Sequence, residues 1–321
     1  MKLAVIESPM ITKPQLSKML GLSLVTVNKI VDELAANGEI LDMGQTESTG
    51  GRKAKQYMLN KNHKSILTAL VRSGAVSCAI VNLIGEICYE NSFAHDENWI
   101  DRLAEFIHIE DLPPVACVGV AVPGTVHDDI IRNIPTVPEL EGIKLAEALM
   151  EKLGLPIIIE NDINIAAMGA CYRFAGDVSN MVFLYLDKGI GMGTVLRNEI
   201  YQSKRNFAGE IAYMYLGDCY DGKNIEQYIL NCIDKGDISS ILDILSKVLA
   251  NVSCVLDPDV VVVDSPILKQ EHLDIIDNKL SAIIGRDFLP ALELSSYNQD
   301  IYYQGLYRLY MEKEKSFREE R

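Results

Sequence analysis

Apolar positions recur at helical spacing from Thr12 to Leu34, then shift to short, near-continuous runs. Leu16, Met19 and Leu20 form one stripe, with Pro14 in its first turn and Gly21 as its stop. Val27, Ile30, Val31 and Leu34 form a second stripe, entered through Ser23, a good N-cap. The pattern predicts two helices joined by a tight turn. Gly38 to Leu41 and Ala54 to Leu59 read as strands on either side of Ser48-Thr49-Gly50-Gly51-Arg52-Lys53, a flexible basic tip. Asn60 to Lys64 is a short polar linker.

The patterning beyond the linker is that of α/β structure. Ile66 to Val71 and Val76 to Leu83 read as a hairpin turning at Arg72-Ser73-Gly74, followed by a turn at Asn82 to Glu86. Trp99 to Ile107 predicts a helix, Val115 to Val122 a buried strand ending at Pro123-Gly124, and Leu140 to Leu153 an amphipathic helix. Met181 to Leu186 and Thr194 to Leu196 read as a hairpin whose turn runs through Gly193. Ile225 to Ile233 and Ile238 to Leu256 are helical, and Asp259 to Asp264 is a strand.

The chain is organised around Pro156 to Ala170. Ile157-Ile158-Ile159 is a continuous β-branched run, as in a strand covered on both faces. Glu160, Asn161 and Asp162 stand at its carboxyl end, where open α/β sheets place ligands. Ala166, Ala167, Gly169 and Ala170 let the following helix pack closely. A carboxylate here could take a proton from a sugar hydroxyl. A plainer role is also open: Asp162 or Asn164 capping the helix.

Composition narrows the classes. The 321 residues allow two or three domains, and 48% hydrophobic content supports substantial cores. Seven scattered cysteines without a CxxC pair suit free thiols in a reducing cytosol. Met1 to Met10 lacks the apolar core of a signal peptide, and Leu112 to Val126 is too short to span a bilayer. A cytoplasmic protein without membrane contact is expected.

The net charge of −15 argues against nucleic acid until it is divided. Residues 1–64 hold nine Lys/Arg against six Asp/Glu, or +3, which leaves −18 on the remainder. A mildly basic head on an acidic body suits a DNA-binding module joined to something else. An αα-hairpin is common on its own, but the added wing makes the head specific for DNA. Ser23, Val25, Thr26, Asn28 and Lys29 lie near the start of the second helix, from which a recognition helix reads base edges. Asn28 suits a bidentate contact to adenine, and Lys29 a phosphate. Gly51 permits close backbone approach, Arg52 suits a narrow minor groove, and Lys53 adds charge.

Read together, these segments resemble the ROK family (repressors, open reading frames, kinases), in particular its NagC/XylR-type sugar-responsive repressors. The resemblance covers nearly the whole chain. Its carriers are the Gly21-Leu22-Ser23 turn, the Ser48 to Arg52 wing, Val118 to Gly124, Glu160 to Ala167, Ala208 to Tyr213 and Leu256 to Val262. It implies a winged helix-turn-helix over residues 1–62. Residues 63–321 are expected to form an actin-like ATPase or sugar-kinase fold (ribonuclease H-like) with two α/β lobes around a cleft. It also implies sugar contacts from Pro123, Gly124, Asn161, Asp162, Glu210, Tyr213 and Glu226, with Asp162 at the position of the family's catalytic base.

Departures from the family pattern carry the functional expectation. The first phosphate loop, Asp-x-Gly-Gly-Thr in active kinases, falls at Leu70 to Gly74 and reads Leu-Val-Arg-Ser-Gly, without an acid to help hold magnesium. The second, normally Gly-Thr-Gly-x-Gly, reads Asp187-Lys188-Gly189-Ile190-Gly191, and its acid would repel phosphate; its glycines could simply shape a turn. The adenosine loop reads Asp264-Ser265-Pro266, stiff and short of an N–H. The family's zinc positions fall on Tyr213, Gly217, Cys219 and Asn224, one ligand in four. The expectation is a transcriptional regulator, acting as a repressor of sugar-metabolism genes, that binds a duplex operator as a dimer or tetramer. It senses a sugar or related metabolite, and neither ATP nor zinc is a cofactor. The rival expectation is an active ATP-dependent sugar kinase carrying a DNA-binding domain.

Overall fold

The computed structural model describes residues 10–45, 54–134, 136–174, 176–217, 223–295 and 298–319. Local signals set the first elements. Strand β1 (Ile11–Thr12) leads into α1 (Lys13–Leu20), where Thr12 and Gln15 form a reciprocal capping box and Gly21 closes the helix at φ 62°. Helix α2 (Leu24–Ala36) starts at Ser23, whose Oγ accepts the Thr26 N–H at 3.1 Å. Strands β2 (Ile40–Gln45) and β3 (Lys55–Leu59) pair antiparallel, and β1 adds to β3. Leu16, Val27, Val31 and Leu34 close a small core with Ile11, Ile40, Tyr57 and Leu59. Met19, expected in the stripe, is instead half exposed at the end of its helix. The tip between β2 and β3, with Gly51, Arg52 and Lys53, lies outside the described residues.

Next come β4 (Ser65–Arg72), β5 (Ala75–Asn82) and β6 (Ile87–Ala94), an antiparallel meander. They are followed by α3 (Trp99–Glu105), β7 (Val115–Val122), β8 (Thr125–His127), β9 (Ile130–Arg132) and α4 (Leu145–Leu153). Helix α4 begins five residues later than its apolar pattern suggests, because Lys144 bridges to Ile130 and Gly142 N–H donates to the Ile131 carbonyl. Strand β10 (Ile157–Asn161) completes a five-stranded sheet in the order β10-β7-β4-β5-β6 and runs into α5 (Asp162–Arg173).

The second sheet is built from β11 (Met181–Leu186), β12 (Ile190–Leu196), β13 (Glu199–Ile200), β14 (Val260–Asp264) and β15 (Ala291–Leu294), in the order β13-β12-β11-β14-β15. Helices α6 (Ile225–Lys235), α7 (Ile238–Leu256), α8 (Gln270–Ile284) and α9 (Asp300–Glu319) complete the chain. Helix α7 is long and apolar enough to cross a membrane, but its apolar face forms the core against β11, β14 and α8. The β11–β12 turn is shorter than the glycine pattern predicts. Gly191 and Gly193 sit within β12, and a Cβ on Gly193 would lie 2.5 Å from the Ile163 carbonyl oxygen. These glycines let α5 lie against the strand and do not shape the turn.

The chain divides into two compact units. One comprises Met1–Val120, Ala146–Ile158 and Leu309–Arg321, and the other Ala121–Leu145 and Ile159–Arg308. In the first, Lys64 is ion-paired with Glu314 of α9 and lies 4.0 Å from Glu39, which precedes β2; all three are largely buried. In the second, α5 and α9 meet at backbone contact. A Cβ on Gly169 would fall 1.9 Å from the Ile301 carbonyl oxygen, and one on Gly305 2.1 Å from that of Ile165.

Candidate functional site

Val25 is 78% exposed, Thr26 and Lys29 are exposed, and Asn28 is half-buried. Ser23 and Thr26 hydroxyls lie 2.8 Å apart, so these two residues first of all build the start of α2. Lys13 fixes α1 to α2 through Asp32 at 2.5 Å and sits over the Tyr57 ring at 5.5 Å. A rigid helix start with exposed side chains is what reading a groove requires.

The candidate sugar residues all fall in the second unit, where the geometry makes two pairs. The first is Gly124 with Asn161. Gly124, at φ 103°, is held so that a Cβ would meet the Arg132 carbonyl oxygen at 2.8 Å. Its own carbonyl accepts the Asn161 side-chain N–H at 2.8 Å. Asn161 Oδ1 in turn accepts the N–H groups of Ile163 and Asn164, so Asn161, and neither Asp162 nor Asn164, caps α5. Asp162 opens that helix, half-buried, where the helix end favours its negative charge. Pro123 precedes the pair at the end of β7.

The second pair is Glu210 with Glu226. Burial, and secondarily the neighbouring Glu226 carboxylate, raise the Glu210 pKa above its ordinary 4.5. Glu226 Oε1 accepts the Ile190 N–H at 3.3 Å, and a Cβ on Gly189 would come within 2.9 Å of it. The turn expected to cradle phosphate is therefore already facing a carboxylate. Tyr213, 57% exposed, packs its ring against Phe207 at 5.7 Å.

Sequence reasoning placed Glu160 at the ligand-bearing end of the strand without a partner, and passed over Gln202 and Asn206. Glu160 is buried, and its carboxylate accepts from Asn161 N, Asn164 Nδ2 and Gln202 Nε2. Asn206 Nδ2 donates to the Val126 carbonyl. Residues 201–213 are thus stitched to both the Gly124 turn and the strand bearing Asn161. The one signal for Glu160 was its place in a polar run ending a buried strand.

Several residues at the expected nucleotide and zinc positions are already engaged within the structure. Leu70–Gly74 forms the end of β4 and a tight hairpin turn, with Arg72 opposite Ala75. At Asp187–Gly191 the Ile190 N–H is taken by Glu226, and the Ser265 hydroxyl accepts its own loop's Ile267 N–H at 3.4 Å. Of the zinc positions, Tyr213 and Gly217 offer neither thiolate nor imidazole, and Asn224 is spent capping α6. Cys219 lies outside the described residues. Among the described residues no three His, Cys, Asp or Glu side chains gather around a common point. Burial pushes the Cys78 and Cys117 thiols up to about 12.

Two mixed sheets with crossing helices, preceded in the chain by a helix-turn-helix with a small sheet, define a sugar-kinase-type fold. Residues 73–229, just under half of the chain, match the ROK family model. It is 30% identical over 223 residues to a putative xylose repressor of Caldicellulosiruptor sp. (strain Rt8B.4), covering 64% of this chain and 54% of that one. The chain spans little more than half the length of the curated repressors it matches. Among solved structures, a ROK family transcriptional regulator homologous to the E. coli MLC protein superposes with a TM-score of 0.74 at 18% identity, covering 96% of this chain and 98% of that one. A putative N-acetylmannosamine kinase from Listeria monocytogenes shares the fold at a TM-score of 0.64 and 19% identity, over 78% of this chain and 99% of that one.

Proposed function

We propose that this protein is a DNA-binding transcriptional regulator, acting as a repressor of sugar-metabolism genes, whose kinase-like body senses a sugar without phosphorylating it. The observation that carries the second half of the reading is the Glu226 carboxylate on Ile190 N–H, an internal anion where phosphate would be bound. The exposed start of α2 supports the first half, as do the repressors among the similar proteins. On this reading residues 1–62 contact a duplex operator through Ser23, Val25, Thr26, Asn28, Lys29, Gly51, Arg52 and Lys53. The protein works in the cytoplasm as a dimer or tetramer, placing two heads on a palindromic site. Sugar hydroxyls meet Asp162, Glu210 and Glu226, with Asn161 and Gly124 shaping the wall. Asp162 then serves as a hydrogen-bond acceptor and not as a base. A sugar changes operator affinity only by the difference in its own affinity for the DNA-competent and DNA-released states.

The test has two arms. Operator binding, measured by fluorescence anisotropy on fragments selected from genomic DNA, should fall when one sugar of a broad panel is added. Asp162→Ala should weaken that sugar by roughly 2- to 150-fold, the range for one lost hydrogen bond of about 0.5–3 kcal/mol. In a coupled assay with ATP and the same sugars, turnover should be absent. Sustained sugar-phosphate formation that Asp162→Ala abolishes would establish the kinase reading instead.

A further inference from the structure

Two aromatic rings stand out on the segment that joins the two halves of the candidate sugar site. Phe207 is 58% exposed and Tyr213 57% exposed, and their rings pack at 5.7 Å with a 41° tilt. Large exposed apolar groups usually sit on pliable surface. These are mounted rigidly. Ser203 Oγ accepts the N–H groups of both Phe207 and Ala208. Gly209, at φ 94°, lies so close to β12 that a Cβ would be 2.1 Å from the Met192 carbonyl oxygen. Ile211 and Ala212, just before Tyr213, are buried in the core. The backbone between the rings therefore has little freedom, and the rings are held outward by design of the loop.

Their placement relative to polar groups matters as much. Glu210, half-buried, lies between them in sequence. Gln202, five residues before Phe207, binds Glu160 beside Asn161; Asn206, next to Phe207, binds the carbonyl of Val126, two residues from Gly124. An aromatic face adjoining carboxylates matches a pyranose or furanose, which has apolar C–H faces and a hydroxyl rim. The hydroxyl-recognising carboxylates account for one ring. The aromatic pair supplies apolar area beyond them, on a mount already fixed before binding.

Building on the sugar-sensing reading, we propose that Phe207 and Tyr213 form a second saccharide subsite, and that the effector is a di- or oligosaccharide whose second ring stacks there. The site's own charged side chains, Asp162, Glu210 and Glu226, are all carboxylates, which favours an uncharged saccharide over a sugar phosphate.

The experiment is calorimetric titration of the full chain with matched pairs: xylose and xylobiose, glucose and cellobiose, N-acetylglucosamine and its β-1,4 dimer. In one pair the disaccharide should bind about tenfold more tightly, equivalent to about 1.4 kcal/mol. Phe207→Ala should remove that advantage while leaving the monosaccharide within about twofold, and Phe207→Trp should keep it. Equal affinity for both members of every pair would overturn the subsite while leaving a monosaccharide sensor standing. Binding of no saccharide would overturn both. Sedimentation velocity on the same variants closes the remaining route: if Phe207→Ala abolishes self-association and leaves disaccharide affinity unchanged, the rings belong to an interface between copies and the subsite is rejected.

Discussion

At the scale of single residues, the candidate sugar site is a set of side chains each given one task by its neighbours. Asn161 spends its carbonyl on the α5 N-terminus and its amide on Gly124, so it acts as a hinge-pin for two walls. Glu160 is saturated with donors and fixes the strand end. Glu210 is the strained member, because burial and Glu226 both oppose its charge. An acid whose folded pKa is raised stabilises the fold only while it is protonated, below its ordinary 4.5, and that contribution is lost as pH rises through the folded value. Glu210→Gln, permanently neutral, should therefore melt higher than the native protein at neutral pH. The two melting curves should converge as pH falls below 4.5, a comparison readily made by calorimetry from pH 4 to 8. Asn161, Asp162, Glu210 and Glu226 were named from sequence through the family resemblance, and the structure brings Glu210 and Glu226 close enough to interact. The roles were less legible. Whether Asn161, Asp162 or Asn164 caps the helix depends on which side chain finds Gly124, a contact 37 residues away.

At the scale of elements, legibility followed the range of the forces involved. The starts of the head's helices and the end of the first were readable to within a residue, because Thr12, Gly21 and Ser23 act on backbone groups three or four positions away; the second helix runs two residues past Leu34, where no such signal stands. Strand β6 was missed because its sequence, Ile-Cys-Tyr-Glu-Asn-Ser-Phe-Ala, is that of a half-exposed edge. Helix α9 was missed for another reason: Gly305 reads locally as a helix weakener. Its use appears only against Ile165, just as Gly169 makes sense only against Ile301. The crossing gives a sharp expectation. A methyl at position 305 has a carbonyl oxygen, not a pliable side chain, in its place. Gly305→Ala should cost about 1–3 kcal/mol despite alanine's better helix propensity, read from the urea midpoint.

For the whole molecule, the division of charge is the leading fact. On the proposed DNA-binding reading, a head at +3 on a body at −18 holds DNA by local contacts, because the long-range field of the body repels it. That reading gives Lys29, Arg52 and Lys53 an outsized share of the phosphate contacts. Neutralising all three should lower the slope of log affinity against log salt by about 0.9 for each charge that meets a phosphate. An unchanged slope in the triple variant would place the interface elsewhere. The Lys64–Glu314 pair has a consequence in time. Its partners are 250 residues apart, and at about 5–20 residues per second the ribosome needs roughly 12 to 50 s to make the intervening chain. Until then Glu39 and Lys64 lack the third member of their buried cluster, so this corner of the head is completed only once residue 314 has been made. A growing polypeptide that lacks residue 314 therefore carries the helix-turn-helix without this support.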